Sequence, residues 1–178
     1  MRLVKIKYGE WKAELVRRHT RGLCLDLGCR NRLYERDFVG EYVGADIFNG
    51  NPPPDVICDA EHLPFRPRMF NTIVAFDILE HLGHPGKCLT ELSTVLRKDG
   101  LFLATTPNVM SPGSWWDFTH RQHFTRDRLT LLIDDVFEEF HISGTGYPTL
   151  KFAWLRSFAS RVGYVDTFIV VAKRVRMN

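Results

Sequence analysis

Four aspartates fall where a ligand could use them. Asp26, Asp46, Asp59 and Asp77 each stand at or near the end of a short apolar run: Leu23 to Leu27, Tyr42 to Asp46, Val56 to Asp59 and Thr72 to Phe76. A carboxylate is costly to bury without hydrogen-bond partners, and the carboxyl edge of an α/β sheet is where ligands bind. Gly28 follows Asp26 closely, and Asp46 comes 20 residues after Asp26. A nucleotide site needs this arrangement: a glycine turn after the first strand, then an acid on the second that accepts both ribose hydroxyls. Cys29, Arg30, Asn31, Arg32 and Leu33 follow Gly28, so the second and third glycines of a dinucleotide fingerprint are missing, and no phosphate-cradling P-loop motif exists. Among seven histidines, His81, His120 and His123 are the candidate bases, since imidazole takes a proton near neutrality. His62 and His84 have weaker positional claims. Cys24, Cys29, Cys58 and Cys88 form no C-x-x-C pair and read as small apolar packing groups. No compact ligand cluster is visible, and no metal is called for.

The elements that must hold these groups alternate. The apolar runs are continuous rather than alternating, as in strands covered on both faces of a parallel sheet. Leu101 to Thr105 supplies a fifth. Between strands, Pro85 suits a first helical position, and Cys88, Leu89, Leu92, Val95 and Leu96 form one stripe. Arg97 and Lys98 are expected in that helix's last turn, with Gly100 closing it in a left-handed conformation. Thr125 can cap a helix whose apolar face is Leu129, Leu132, Ile133 and Val136. A helix is also expected around Trp11, Leu15 and His19. Only about 13 residues separate Cys29 from Tyr42, so the first crossover helix must be short. Glu138 to Ser143 and Thr167 to Lys173 read as strands, with a helix around Leu155, Phe158, Ala159 and Val162 between them. The expectation is one α/β domain, residues 1–178, with right-handed crossovers.

Five blocks then resemble the class I S-adenosylmethionine-dependent methyltransferases, most closely a small single-domain, quinone-biosynthesis-like branch. They are Leu25-Asp26-Leu27-Gly28-Cys29; Gly44-Ala45-Asp46; Asp59-Ala60-Glu61-His62-Leu63-Pro64-Phe65; the run from Phe70 through Asp77-Ile78-Leu79-Glu80-His81 to Leu82; and Val95 to Leu101. Thr119 to Thr125 resembles a segment common after the fifth strand in that branch. The resemblance implies a Rossmann-like, seven-stranded, mostly parallel sheet with helices on both faces and an antiparallel last strand. It also implies S-adenosyl-L-methionine as cofactor, held by Asp26, Gly28, Cys29, Arg30, Asp46, Ile47, Asp59, Ala60 and Asp77. In this reading Asp26 orders the loop and meets the methionyl ammonium, and Asp46 holds the ribose. Asp59 and the Ala60 amide serve the adenine, and Asp77 lies by the transferring methyl. Leu63 and Phe65 are as readily core residues. Arg30 stands where relatives usually carry glycine. Its side chain either pairs with the methionyl carboxylate or crowds the loop.

Composition restricts the acceptor. The 178 residues carry 24 Lys and Arg against 21 Asp and Glu, a net charge of +3, short of a nucleic-acid footprint. No apolar run approaches the roughly 20 residues of a membrane span. The expectation is a cytoplasmic enzyme acting on a small molecule, with nucleic acid disfavoured and no membrane insertion. The alternative is a catalytically weak cofactor-binding or scaffold protein. Trp115, Trp116 and Phe118 lie in a poorly patterned connection that forms either a lid at the ligand edge or plain aromatic packing.

Overall fold

The structure, a computed structural model, describes residues 10–145 and 165–176. The elements run α1 (Glu10–His19), β1 (Leu23–Leu27), β2 (Glu41–Asp46), β3 (Val56–Ile57), β4 (Phe70–Phe76), α2 (Pro85–Val95) and β5 (Leu96–Pro107). They continue through α3 (Pro112–Trp116), α4 (Arg126–Asp134), β6 (Phe137–Thr145) and β7 (Thr167–Val175). One seven-stranded sheet has the order β3-β2-β1-β4-β5-β7-β6. The β1–β2, β2–β3, β1–β4 and β4–β5 pairs are parallel, and β7 is antiparallel to both neighbours. The sheet is the one expected from the sequence, including its antiparallel last strand.

Alternation along each strand divides the core. Ile73, Ala75, Phe102 and Ala104 face one side, where α2 and α4 deliver Cys88, Leu89, Leu92, Leu129 and Ile133. Val74 and Leu103 face the other side, where α1 packs Val16 and Leu15. Helices therefore cover both faces. In α2 the apolar residues recur every three or four positions, so one stripe is buried, and Pro85 occupies the helix start, where its missing N–H costs nothing. The Thr125 side chain caps α4 by accepting from the Arg128 amide.

Several boundaries differ from expectation. Helix α2 ends at Val95, because Leu96 is already extended (φ −76°, ψ 140°). Arg97, Lys98 and Gly100 therefore lie on β5, with a register shift where it pairs β4. Leu96 is buried as a strand residue; its hydrophobicity fitted the helical stripe equally well. Val136 lies just past α4 rather than on it. Strand β3 is two residues long and touches only Ala45 and Asp46. The first crossover carries only a 3₁₀ turn, Glu35–Asp37. The helix expected around Leu155 lies outside the described residues. In the basic tail, Arg176 is tied to α4, its guanidinium bonding the Asp134 carbonyl at 2.7 Å and carboxylate at 2.8 Å.

The strand order creates the site. From β1 the chain steps outward to β2 and β3, then returns to place β4 on the other flank of β1. The strand order reverses there, and the carboxyl ends of β1 and β4 at such a switch point are where an α/β sheet places its ligand crevice.

Candidate active site at the carboxyl edge of the sheet

Asp26 is the penultimate residue of β1 and only 4% exposed. The Tyr42 hydroxyl donates to its Oδ2 at 3.0 Å. Burial pushes its carboxyl up to about 7, against the opposing effect of that hydrogen bond, and the nearby Asp46 charge adds to the rise. The Arg32 charge opposes the rise without cancelling it. Burial, with the same pair of acids adding to it, pushes the Cys29 thiol up to about 12, so Cys29 is an inert packing group. All four cysteines are free thiols.

The turn after β1 is built from left-handed backbone. Gly28 has φ +77°, and a Cβ there would lie 3.0 Å from Ile78 Cδ1, in the loop leaving β4. The two loops flanking the crevice thus meet at this glycine. Both the Gly28 and Cys29 amides donate to the Ala45 carbonyl. Arg30 and Arg32 also have positive φ, +49° and +54°. Such a conformation is unusual for residues with a Cβ, so the position where the resemblance implies glycine has a glycine-like backbone here. The Arg30 side chain is exposed. Its amide donates to Asp46 Oδ2 at 2.8 Å, and the Phe48 amide donates to Oδ1 at 2.9 Å. Asp46 therefore braces the loops leaving β1 and β2, and each oxygen retains a lone pair for a further donor. Ile47, next along, is 58% exposed.

Asp59 lies two residues past β3, where its Oδ1 accepts from the Glu61 amide at 2.9 Å; Ala60 is buried. Leu63 and Phe65 pack into the core. Asp77 follows β4 directly with φ +50°. Its carboxylate accepts from Thr105 Oγ1 at 2.7 Å and pairs with Lys12 of α1. Sequence reading missed Lys12; 65 positions separate the two residues, and no local pattern connects them.

Beyond Asp77 a 3₁₀ turn, Leu79–His81, presents a second group of polar side chains. Glu80 is 1% exposed. Thr106 Oγ1 donates to its Oε2 at 2.9 Å, and its Oε1 is buried with no hydrogen-bond partner among the described residues. Burial, reinforced by the Asp77 charge, pushes the Glu80 carboxyl up to about 8. The rings of His81 and His120 lie 4.7 Å apart, edge to face. Burial and the neighbouring His120 hold His81 below the ordinary imidazole range. His123 is not part of this pair: it stacks on Trp115 at 3.9 Å, and its Nδ1 lies 3.0 Å from Ser114 Oγ. His84 bonds Glu61, and His62 approaches Lys87, both on exposed turns. Sequence reading expected no compact ligand cluster. The fold assembles one: a ligating atom from each of Glu80, His81 and His120 lies within 4.8 Å of the others. His120 joins from 39 positions away, and Glu80 was not among the candidate residues. The aromatic segment borders this cluster, with Trp115, Trp116 and Phe118 all exposed (61%, 79% and 96%). Trp115 is held by an indole bond to the Val109 carbonyl at 2.7 Å.

The chain is similar to known proteins at three levels. Residues 6–136 match the family model described as a methyltransferase domain. Curated relatives from two strains of Mycobacterium tuberculosis, described as probable S-adenosylmethionine-dependent methyltransferases, are 33% identical over 87 residues. That stretch is 46% of this chain and 32% of theirs, so the chain spans about a third of those relatives. Among solved structures, an S-adenosylmethionine-dependent methyltransferase from Archaeoglobus fulgidus matches with a TM-score of 0.67 at 17% identity, over 92% of this chain and 94% of its own. A [4+2]-cyclase, SpnF, matches with a TM-score of 0.64 at 16% identity, over 93% of this chain and 82% of its own. At such identity the likeness establishes the fold, and the cyclase shows that this fold hosts more than one chemistry.

Proposed function

The chain belongs to the methyltransferase domain family, and from that premise we propose that it is an S-adenosylmethionine-dependent enzyme that transfers a methyl group to a small molecule. The observation that carries this reading is the pair of buried carboxylates, Asp26 and Asp46, flanking the glycine turn at the carboxyl ends of β1 and β2. Their donor sets fit the cofactor. Asp26 is a buried acid whose carboxyl the nearby Arg32 charge only partly offsets, and the methionyl ammonium would add a cation beside it. Asp46 is fixed by two amides and keeps lone pairs for a vicinal diol. Gly28 leaves the backbone open where a side chain would strike Ile78. Asp59 and the Ala60 amide would serve the adenine, with Cys29, Arg30 and Ile47 lining the approach and Asp77 at the methionyl end.

The bound cofactor supplies an electrophilic sulfonium methyl. What remains for the chain is to orient the acceptor, exclude water and take a proton, so positioning carries most of the rate. The His81–His120 pair lies near Asp77, where a nucleophile would be held; with no ion on the pair, His81, its proton affinity lowered by burial and by His120, would be the proton acceptor. His123 would act through Ser114, which touches both His123 and His120.

A small acceptor fits the modest charge and the exposed aromatic segment 112–118, which offers flat apolar surface at the cluster's edge. The sequence resemblance to the quinone-biosynthesis-like branch favours an aromatic ring. No described helix is long and apolar enough to cross a membrane; a cytoplasmic, single-domain enzyme is the matching proposal. The test is an acceptor screen that reads S-adenosylhomocysteine release. Turnover on small hydroxylated or aminated aromatics is expected. Turnover only on RNA or protein would overturn the proposed acceptor class, and cofactor binding with no turnover on any acceptor would favour a scaffold.

A further inference from the structure

We propose that Glu80, His81 and His120 form a binding site for a divalent first-row transition metal ion, and that this ion holds and acidifies a hydroxyl group of the acceptor. The inference rests on the methyltransferase reading for its role, but the site stands on its own geometry.

The hydrogen bonds around the histidines define their lone pairs. His120 Nδ1 lies 2.9 Å from the Ser114 carbonyl, an acceptor only, so Nδ1 carries the proton and Nε2 the lone pair. Thr119 donates its single hydroxyl proton to Asp117 Oδ1 at 2.6 Å. It must then accept from His81 Nδ1, 3.0 Å away, which again leaves Nε2 with the lone pair. A metal-ligating histidine is typically oriented in this way, its second nitrogen donating to an oxygen. The third member is the unpartnered, buried Oε1 of Glu80.

Two imidazole lone pairs and the unpartnered carboxyl oxygen thus belong to one cluster, to which a cation can bind once Glu80 is ionised. A ligating atom from each lies within 4.8 Å of the others. Three atoms about 2.1 Å from one ion and on one side of it lie about 3.0–3.4 Å apart, so the ligating atoms close by up to about 1.8 Å to complete the site. Two imidazoles and one carboxylate on one side of an ion leave positions open for substrate and suit Mn²⁺, Fe²⁺, Co²⁺ or Zn²⁺ better than Mg²⁺. Asp117 Oδ2 lies 3.9 Å from His120 Nε2, at the rim of the same site.

Such an ion lowers the pKa of a bound hydroxyl, which makes an oxygen nucleophile at neutral pH. The step balances with nothing further. The acceptor hydroxyl loses its proton to water, its oxygen bonds the methyl carbon, and the carbon–sulfur bond breaks with its electron pair passing to sulfur. The products are a methyl ether and S-adenosylhomocysteine. The substrate class is thus hydroxylated molecules, with neighbouring hydroxyls or a hydroxyl beside a carbonyl best able to chelate the ion.

The test is equilibrium metal binding by the chelator-stripped, full-length protein without cofactor. One equivalent of Co²⁺ or Mn²⁺ should bind at micromolar or tighter affinity, and Co²⁺ should show visible absorption bands. Glu80→Gln, His81→Asn and His120→Asn should each weaken binding at least about tenfold, with circular dichroism confirming that each is folded. Asp46→Ala should bind Co²⁺ as wild type does, and the three ligand variants should still bind S-adenosylmethionine, which separates this site from the cofactor reading. No stoichiometric Co²⁺ or Mn²⁺ binding, or binding unaffected by the ligand variants that fold, would overturn the proposal.

Discussion

Asp26 turns burial into a measurable pH dependence. Its carboxyl sits near 7 in the folded chain against 3.8 as the ordinary value. An acid whose pKa rises on folding contributes stability that is complete below about 4 and is lost as pH rises to about 7. The shift of about three units corresponds to at most roughly 4 kcal/mol. Melting of the ligand-free protein and of Asp26→Asn should therefore diverge across that window, the variant gaining relative stability until the difference levels above pH 7. A pH-independent difference would mean that Asp26 is ionised throughout. Arg30 yields a second residue-scale prediction. Its side chain is exposed while its backbone is left-handed, so conformation dominates over charge. Arg30→Gly should keep stability within about 1 kcal/mol of wild type and bind S-adenosylmethionine at least as tightly, whereas Arg30→Ile should lose about 1–2 kcal/mol. A tenfold loss of S-adenosylmethionine affinity in Arg30→Gly, with adenosine unaffected, would instead assign the guanidinium to the methionyl carboxylate. The positions of Asp26 and Asp46 at the sheet edge were legible because type and strand-end position coincide. Lys12, Tyr42 and Glu80 were not, because their partners come from other strands or loops.

At the scale of elements, α4 begins immediately after the segment that carries His120 and His123, so its cap anchors one wall of the site. Thr125→Ala removes the acceptor for the Arg128 amide and should cost about 1 kcal/mol, read as a drop in melting temperature. Thr125→Ser should restore most of it, and an unchanged melting temperature in the alanine variant would show that the cap is not needed. The cap could be read from the sequence because Thr125 directly precedes an apolar stripe. The end of α2 could not. Leu96, Arg97 and Lys98 satisfy a helical stripe and a basic last turn, yet pairing of Leu96 with Phe70 takes them into β5. Tertiary pairing overrode a local signal that pointed the other way. Strand β3 fell short for a related reason: it pairs only at Ala45 and Asp46, and nothing beyond those two rungs extends it.

For the whole molecule, the decisive feature is the strand order. It places β1 between β2 and β4, so that Asp26, Asp46 and Asp77, spread over 51 positions of sequence, share one edge. Alternation of strands and helices foretold a parallel sheet and its ligand-binding edge, and the resemblance supplied the antiparallel β7. Neither could bring Glu80, His81 and His120 together, because that contact depends on how the loop after β5 folds back across the 3₁₀ turn after β4. The central claim is that this edge binds S-adenosylmethionine through Asp46, and calorimetric titration tests it most directly. The account predicts one site for S-adenosylmethionine, no measurable binding of a nicotinamide dinucleotide, and at least about tenfold weaker binding in Asp46→Ala with an unchanged circular dichroism spectrum, since each lost charge-assisted bond is worth about 1.5–3 kcal/mol. Equal affinity in wild type and Asp46→Ala, or no binding of S-adenosylmethionine by the folded wild type, would contradict it.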